Sequence, residues 1–458
     1  MSSEPMDILL VGLGAVGGIY AYVLERSQRC RVTAITRSLY DSIQTHGLTI
    51  NSKKYGLIEN WRPYRLVRSA DEAADRYYRF VVCCIKCLPD VEPTSAILAP
   101  FLLPCHQASS DARTNLPPTV VLCQNGIGIE QSLAEAFPSV HILSCVAWIM
   151  ATLTSPSVVE SRTSTPQNCS VQPINPGGPI IEHDALDRLV IGLYEGEGFA
   201  ENHDDPDQRP CNWYVEGLLD EDGTALIGAA RTEKLQCGTN EMQLFLDVIT
   251  AGGCKAEAVG HIQPARWAKN MVNGAFSTMC TLSRASIAQF LAPDFLPHTL
   301  PAVRETMVEM LCVARALGYR EAELSAETVD EVISLMLQNS QSKGSVSRLP
   351  SALKASPANQ ATDRRINPDV PPEDKDPDGT EVKNIGVGGP MGQPSFKPSM
   401  LIDMERNRPI ELEPIIGAVL ERAKSKAIET PRLDLLYSLL KVLQAQVIRE
   451  YPTELIQQ

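Results

Sequence analysis

An α/β region built on a parallel sheet, followed by a region of helices alone, is the architecture this sequence predicts. Three observations lead to it. Short apolar runs alternate with helix-like segments through the first half of the chain. Those runs are continuous rather than alternating, as expected of strands covered on both faces. From about residue 261 only helical spacing remains. With 458 residues, 44% of them hydrophobic and 21% charged, the chain is long enough for two or three domains with real cores.

The elements follow in order. Ile8 to Val11 reads as a buried strand, and Val16 to Leu24 as a helix rich in small residues. Arg31 to Thr36, Phe80 to Ile85, Val120 to Cys123 and Val140 to Trp148 read as further strands, with a weaker one near Leu189 to Tyr194. Helical spacing covers Glu241 to Thr250, where Gly252-Gly253 supplies a stop. Beyond it, Arg266 to Phe290, Val303 to Leu317 and Ala326 to Gln338 are helix-like, and helices resume at Ser399 and run with breaks to about Arg449. Two domains are expected, at 5–260 and 261–458. The first carries an acidic insertion near 198–210. The second is interrupted at 339–398 by a Ser-, Pro- and Gly-rich stretch that cannot offset its ordering entropy and is expected to be a disordered linker.

Fifty-five acidic against 41 basic residues give a formal net charge of −14. That balance argues against general nucleic-acid binding, which needs a basic face to displace phosphate counterions. No run approaches the roughly 18–20 apolar residues of a membrane helix. The start of the chain lacks the basic, cleavable pattern of a secretory signal. Thirteen cysteines, many in apolar runs, read as reduced core thiols, so a cytoplasmic protein is expected. The close pair Cys84 and Cys87 has no second pair or nearby His, and no metal is expected.

Gly12-Leu13-Gly14-Ala15-Val16-Gly17 follows a strand and opens a helix. That context suits a dinucleotide: a tight turn, close approach to pyrophosphate and a helix N-terminus for its charge. The first domain is therefore expected to be Rossmann-type, with Gly12, Gly14 and Gly17 binding cofactor. The second strand ends Ile35-Thr36-Arg37, where an NAD-binding unit usually has an acid for the ribose. An arginine there suits a 2′-phosphate and favours NADPH, the lesser alternative being a solvated strand-end arginine. Lys269 and Asn273 are four apart and share a helix face. An ammonium and an amide so placed could meet a carbonyl, stabilising developing negative charge and donating a proton. Spacing alone leaves an ordinary surface lysine open.

These motifs together resemble the 2-dehydropantoate 2-reductase (ketopantoate reductase) family. The resemblance rests on Gly12 to Gly18, on Lys86 after the strand Val81–Ile85, and on Gln124-Asn125-Gly126-Ile127-Gly128. It rests further on Trp267-Ala268-Lys269-Asn270-Met271-Val272-Asn273, on Pro398-Ser399-Met400-Leu401-Ile402-Asp403 and on Ile410-Glu411-Leu412-Glu413. It implies NADPH-dependent reduction of a small 2-keto acid, 2-dehydropantoate to pantoate on the route to coenzyme A. Catalytic roles fall to Lys269 and Glu411, and substrate contacts to Asn273, Ser277 and Ser399. Lys86 and Asn125 fall to the cofactor side. Ser399 can equally be a helix cap and Asn125 a turn residue, while Glu413 and Asp403 read as structural. Self-association as a homodimer is left open.

One position departs from the pattern. Better-studied members carry a second asparagine where this chain has Ser277. The shorter side chain leaves a larger pocket and one amide contact fewer. A reductase of another keto acid in specialised metabolism is thus the alternative. A non-catalytic NADPH-binding regulatory protein is a third reading, against which the retention of Lys269, Asn273 and Glu411 counts.

Overall fold

The computed structural model describes residues 4–102, 117–154, 177–196, 228–341 and 397–450. The expected acidic insertion and all but the ends of the expected linker lie outside them.

The strands are β1 (Met6–Val11), β2 (Cys30–Ile35), β3 (Leu48–Ser52), β4 (Gly56–Trp61), β5 (Arg65–Val67), β6 (Phe80–Cys83), β7 (Thr119–Leu122), β8 (Ile142–Thr154), β9 (Ile180–Leu193) and β10 (Lys255–Ala258). They form one sheet in the order β4-β3-β9-β8-β7-β6-β1-β2-β5, with β10 also paired to β9. From β8 through β7, β6, β1 and β2 to β5 every pairing is parallel. The continuous apolar runs have the predicted cause. Ile8 and Leu10 enter the core under one face, and Leu9 and Val11 enter the core under the other.

The far side of the expected parallel sheet adds antiparallel pairings. β9 runs antiparallel to β8, and β4 antiparallel to β3. A 14-residue β9 serves two neighbours on one side, β3 along Ile180–His183 and β10 along Arg188–Ile191. The helix that precedes β10 spans Gly228–Ala251 and ends where Gly252 packs so closely that a Cβ would lie 1.9 Å from the Val23 carbonyl oxygen.

Past Ala258 the described residues contain helices and no strand. The expected Arg266–Phe290 helix is interrupted. An α-helix at Gln263–Val272 passes into a π-helical turn at Asn273–Ser277, then into Thr278–Ser283, which ends at Arg284 with φ 56°. A second π-helical turn, Glu413–Gly417, packs near the first. Such turns insert one residue into the helical ladder and are frequent at functional sites.

A helical core gathers Trp267, Met271, Phe276, Met310, Ile416 and their neighbours with Ile127 from the sheet region, and Trp148 of β8 packs against it. The Ile127 amide donates to the Pro414 carbonyl at 2.7 Å. Beside it, Gly126 adopts φ 103°, and a Cβ there would lie 2.3 Å from Pro414 Cβ. The loop after β7 is therefore where sheet and helices lock together, at the carboxyl ends of the parallel strands where α/β sheets bind ligands.

Candidate active site

The glycine loop has the form a dinucleotide needs. Gly12 has φ 100°, a backbone that L side chains rarely adopt, and a Cβ on Gly17 would lie 2.0 Å from the Gly12 carbonyl oxygen. A Cβ on Gly14, by contrast, would meet no atom within 4 Å. The two tight glycines fold the turn, while Gly14 faces open space at the start of the helix Ala15–Arg26, whose first turn holds no acid and no capping side chain. Bare N–H groups and a positive dipole end thus face room for an anion. Arg37 follows β2 beside this loop, exposed, its guanidinium pairing with no side chain among the described residues.

Lys86 follows β6 and crosses to the helical region. Its Nζ lies 2.7 Å from Asp403 Oδ2 and 3.6 Å from Glu411 Oε2. Burial opposes its charge, but these carboxylates outweigh that and hold its pKa above the ordinary lysine value. Glu411 is 4% exposed. Its Oε1 accepts from the Cys87 amide at 3.1 Å, and its Oε2 accepts from Asn125 Nδ2 at 3.3 Å. A buried carboxylate is costly unless its lone pairs are satisfied, and here both oxygens are engaged.

Lys269 is half-buried in the last turn of its helix. Its ammonium donates to the Ala147 carbonyl of β8 and stands 5.8 Å from the centre of the Trp148 ring. Burial, then the Arg266 cation, lower its pKa to about 8, against the upward pull of Glu411 and Cys123. That brings a lysine toward the range in which it can give up a proton near neutral pH. Gln124, Asn125, Gly126, Arg266, Lys269 and Asn273 line one small cavity.

The structure thus brings Lys269, Asn273 and Asn125 to one cavity, and joins Glu411 and Lys86 to it through Asn125. Ser277 is buried at the end of the π-helical turn and is not part of that lining. Ser399 is exposed at the start of the helix Ser399–Glu405, where Pro398 is the cap residue and no side-chain cap bond forms. Asp403, read from the sequence as structural, makes the shorter carboxylate contact to Lys86. Glu413 points elsewhere, accepting from Tyr437 Oη at 3.1 Å and pairing with Lys441.

Sequence reasoning missed Arg266 and Glu130. Both are buried, with Arg266 Nε 3.0 Å from Glu130 Oε1. A signal existed. Arg266 and Lys269 are three apart on one helix face, and like charges so placed repel unless one is otherwise engaged.

The chain and its fold resemble known proteins. The family description "Ketopantoate reductase PanE/ApbA" matches residues 8–176, and "Ketopantoate reductase PanE/ApbA C terminal" matches 261–349 and 370–444. The uncharacterized protein YDL144C of Saccharomyces cerevisiae is 22% identical over 447 residues, 96% of this chain and 94% of that protein. The crystal structure of 2-dehydropantoate 2-reductase from Methylococcus capsulatus superimposes with a TM-score of 0.57 at 23% identity, covering 96% of this chain and 98% of that one. A ternary structure of D-mandelate dehydrogenase with NADH and anilino(oxo)acetate gives a TM-score of 0.57 at 15% identity, covering 96% and 99%.

Proposed function

The chain belongs to the ketopantoate reductase PanE/ApbA family, of oxidoreductases acting on CH–OH groups, and from that premise we propose that it reduces a 2-keto acid with NADPH, 2-dehydropantoate to pantoate being the first candidate. The observation that carries this reading is Lys269, held half-buried with a lowered pKa at a cavity that Asn125 and Asn273 share.

The residues fit a dinucleotide. Gly12, Gly14 and Gly17 shape the loop for its pyrophosphate, Arg37 is placed for a 2′-phosphate, and Asn125 is placed for the ribose at the nicotinamide end. A nicotinamide bound there supplies a hydride to the carbonyl carbon of the substrate. Lys269 Nζ holds the carbonyl oxygen and gives it a proton as negative charge develops, leaving a neutral amine that water reprotonates. Asn273 orients the same oxygen or the neighbouring carboxylate. Glu411 fixes Asn125 and, by its charge, favours the ammonium form of Lys269 before the reaction.

A second reading changes only the substrate. Ser277 lies on the lysine helix where the family's asparagine is expected, and mandelate dehydrogenase shares the fold, so another 2-keto acid is the alternative. Two further expectations stand as proposals. Ten free cysteines among the described residues, seven of them buried, suit a reducing compartment such as the cytoplasm. No described helix is long and apolar enough to cross a membrane. A homodimer is supported by the apolar stripe of Leu435, Leu439 and Val442, exposed by 61%, 49% and 59% along one helix. Sedimentation showing a monomer at working concentrations would sink the dimer.

The test of function is NADPH oxidation with a panel of 2-keto acids and an NADH control. Turnover of 2-dehydropantoate supports the first reading, turnover of another acid alone supports the second, and NADPH binding with no turnover would leave a binding protein.

A further inference from the structure

We propose that Arg266, braced by Glu130, is a positioning residue for the reaction: it fixes the strand ends that surround Lys269 and places a buried positive charge behind it. The inference rests on the reading of Lys269 as proton donor, and it adds a residue to which neither the family match nor the sequence motifs give a role.

The geometry comes first. Arg266 is 2% exposed. Its Nη1 donates to the carbonyls of Gln124 at 3.0 Å and Gly126 at 3.1 Å, the two residues that flank Asn125. Its Nη2 donates to Ser144 Oγ at 2.6 Å and to the Cys145 carbonyl at 3.0 Å. Cys145 lies two residues before Ala147, whose carbonyl accepts from Lys269. One planar guanidinium therefore ties the loop after β7 and the strand β8 to the lysine helix, a task that needs the rigid fork of arginine. Arg266 thus holds the backbone on both sides of Asn125 and, on β8, at Cys145, two residues before the carbonyl that accepts from Lys269.

The charge is the second part. The groups facing Lys269 are Arg266 on its own helix, Glu411 from the segment before the second π-helical turn, and Cys123 just after β7. Arg266 alone among these ionisable neighbours disfavours the ammonium. Glu130, fully buried, accepts from Ser144 Oγ and from Gln263 Nε2 at 3.2 Å while pairing with Arg266. A buried guanidinium needs such a counter-charge. Glu130 is not among the residues lining the cavity, and the paired guanidinium still acts on Lys269.

The experiment compares Arg266→Gln, Arg266→Lys and Glu130→Gln with the wild-type chain. Two readouts are taken: the pH profile of kcat for keto-acid reduction, and competitive acetylation of Lys269 across pH, followed by peptide mass spectrometry. The second readout needs no turnover. If no keto acid is reduced but the labelling midpoint moves as expected, the proposed function fails and only the charge coupling of Arg266 to Lys269 stands. Arg266→Gln removes the repulsion, so the Lys269 midpoint should rise, by about one pH unit. Arg266→Lys keeps the charge and loses the fork. Its midpoint should stay within a few tenths of wild type while kcat falls and KM for the keto acid rises. Glu130→Gln leaves the cation unscreened and should lower the midpoint. An unmoved midpoint in whichever of Arg266→Gln and Glu130→Gln folds would overturn the proposal. So would an Arg266→Lys midpoint as high as that of Arg266→Gln, or both neutral variants failing to fold while Arg266→Lys keeps wild-type kinetics.

Discussion

Asn125 Nδ2 lies 3.3 Å from Glu411 Oε2, a bond between residues 286 positions apart that joins the carboxyl edge of the sheet to the helical region. The other Glu411 oxygen accepts from the Cys87 amide, and Lys86 stands 3.6 Å away. One buried carboxylate thus ties together three segments that sequence separates, and the cavity with Lys269 opens beside it. This relationship orders the expectations that follow.

Replacing Lys269 by alanine removes the proposed proton donor and leaves the glycine loop untouched. The rate of keto-acid reduction should fall by about 10²- to 10⁴-fold, the usual contribution of general acid catalysis. NADPH affinity, followed by fluorescence titration, should stay nearly unchanged. Full activity in Lys269→Ala would remove the lysine from the mechanism.

The pH dependence has a definite sign. The proposed mechanism requires the Lys269 ammonium, whose pKa is lowered to about 8. The rate should therefore hold below pH 8 and decline as pH rises through it. Glu411 favours the ammonium, so Glu411→Gln should move that decline to lower pH and reduce the rate. A profile that rises through pH 8 would reverse the assigned role.

Arg37 is exposed beside the glycine loop with its guanidinium unpaired among the described residues. Arg37→Ala should weaken NADPH by about tenfold or more, the worth of a charge-assisted hydrogen bond, and alter NADH little. Equal losses for both dinucleotides would argue that Arg37 does not meet the 2′-phosphate.

Gly126 tests the junction itself. Its φ is 103°, and a Cβ would come within 2.3 Å of Pro414. Gly126→Ala should destabilise the protein by about 1–3 kcal/mol through backbone strain and displacement of the Glu413–Gly417 turn. Chemical denaturation read by tryptophan fluorescence measures it, and an unchanged midpoint would mean the junction is looser than its contacts imply.

Local pattern carried much of this molecule. A strand, glycines at fixed spacing and a helix lie within 21 residues, so the loop at Gly12–Gly17 and the parallel strands beside it are legible without tertiary information. Strands β3, β4 and β5 were not, and β4 and β5 are the two ends of the sheet order. β4 is mostly exposed and carries Glu59, Asn60 and Trp61 without a clean alternation, so neither apolar signature marks it. The antiparallel pairing of β9 depends on a partner separated by the residues between Thr154 and Ile180, which no local rule foresees. In the site, Lys269 and Asn273 share a face by simple spacing. Arg266 did not stand out because arginine is rarely buried, and its burial depends on Glu130, 136 positions earlier in the chain. Asp403 read as structural for the same reason: its partner, Lys86, is 317 residues distant.

The most direct measurement of the central claim is steady-state NADPH oxidation by the purified chain with 2-dehydropantoate and other 2-keto acids, with Lys269→Ala run in parallel. The account predicts turnover of at least one 2-keto acid, preference for NADPH over NADH, and loss of that turnover in Lys269→Ala with NADPH binding retained. Absence of turnover across the panel in a chain that binds NADPH, or turnover that survives the loss of Lys269, would contradict it.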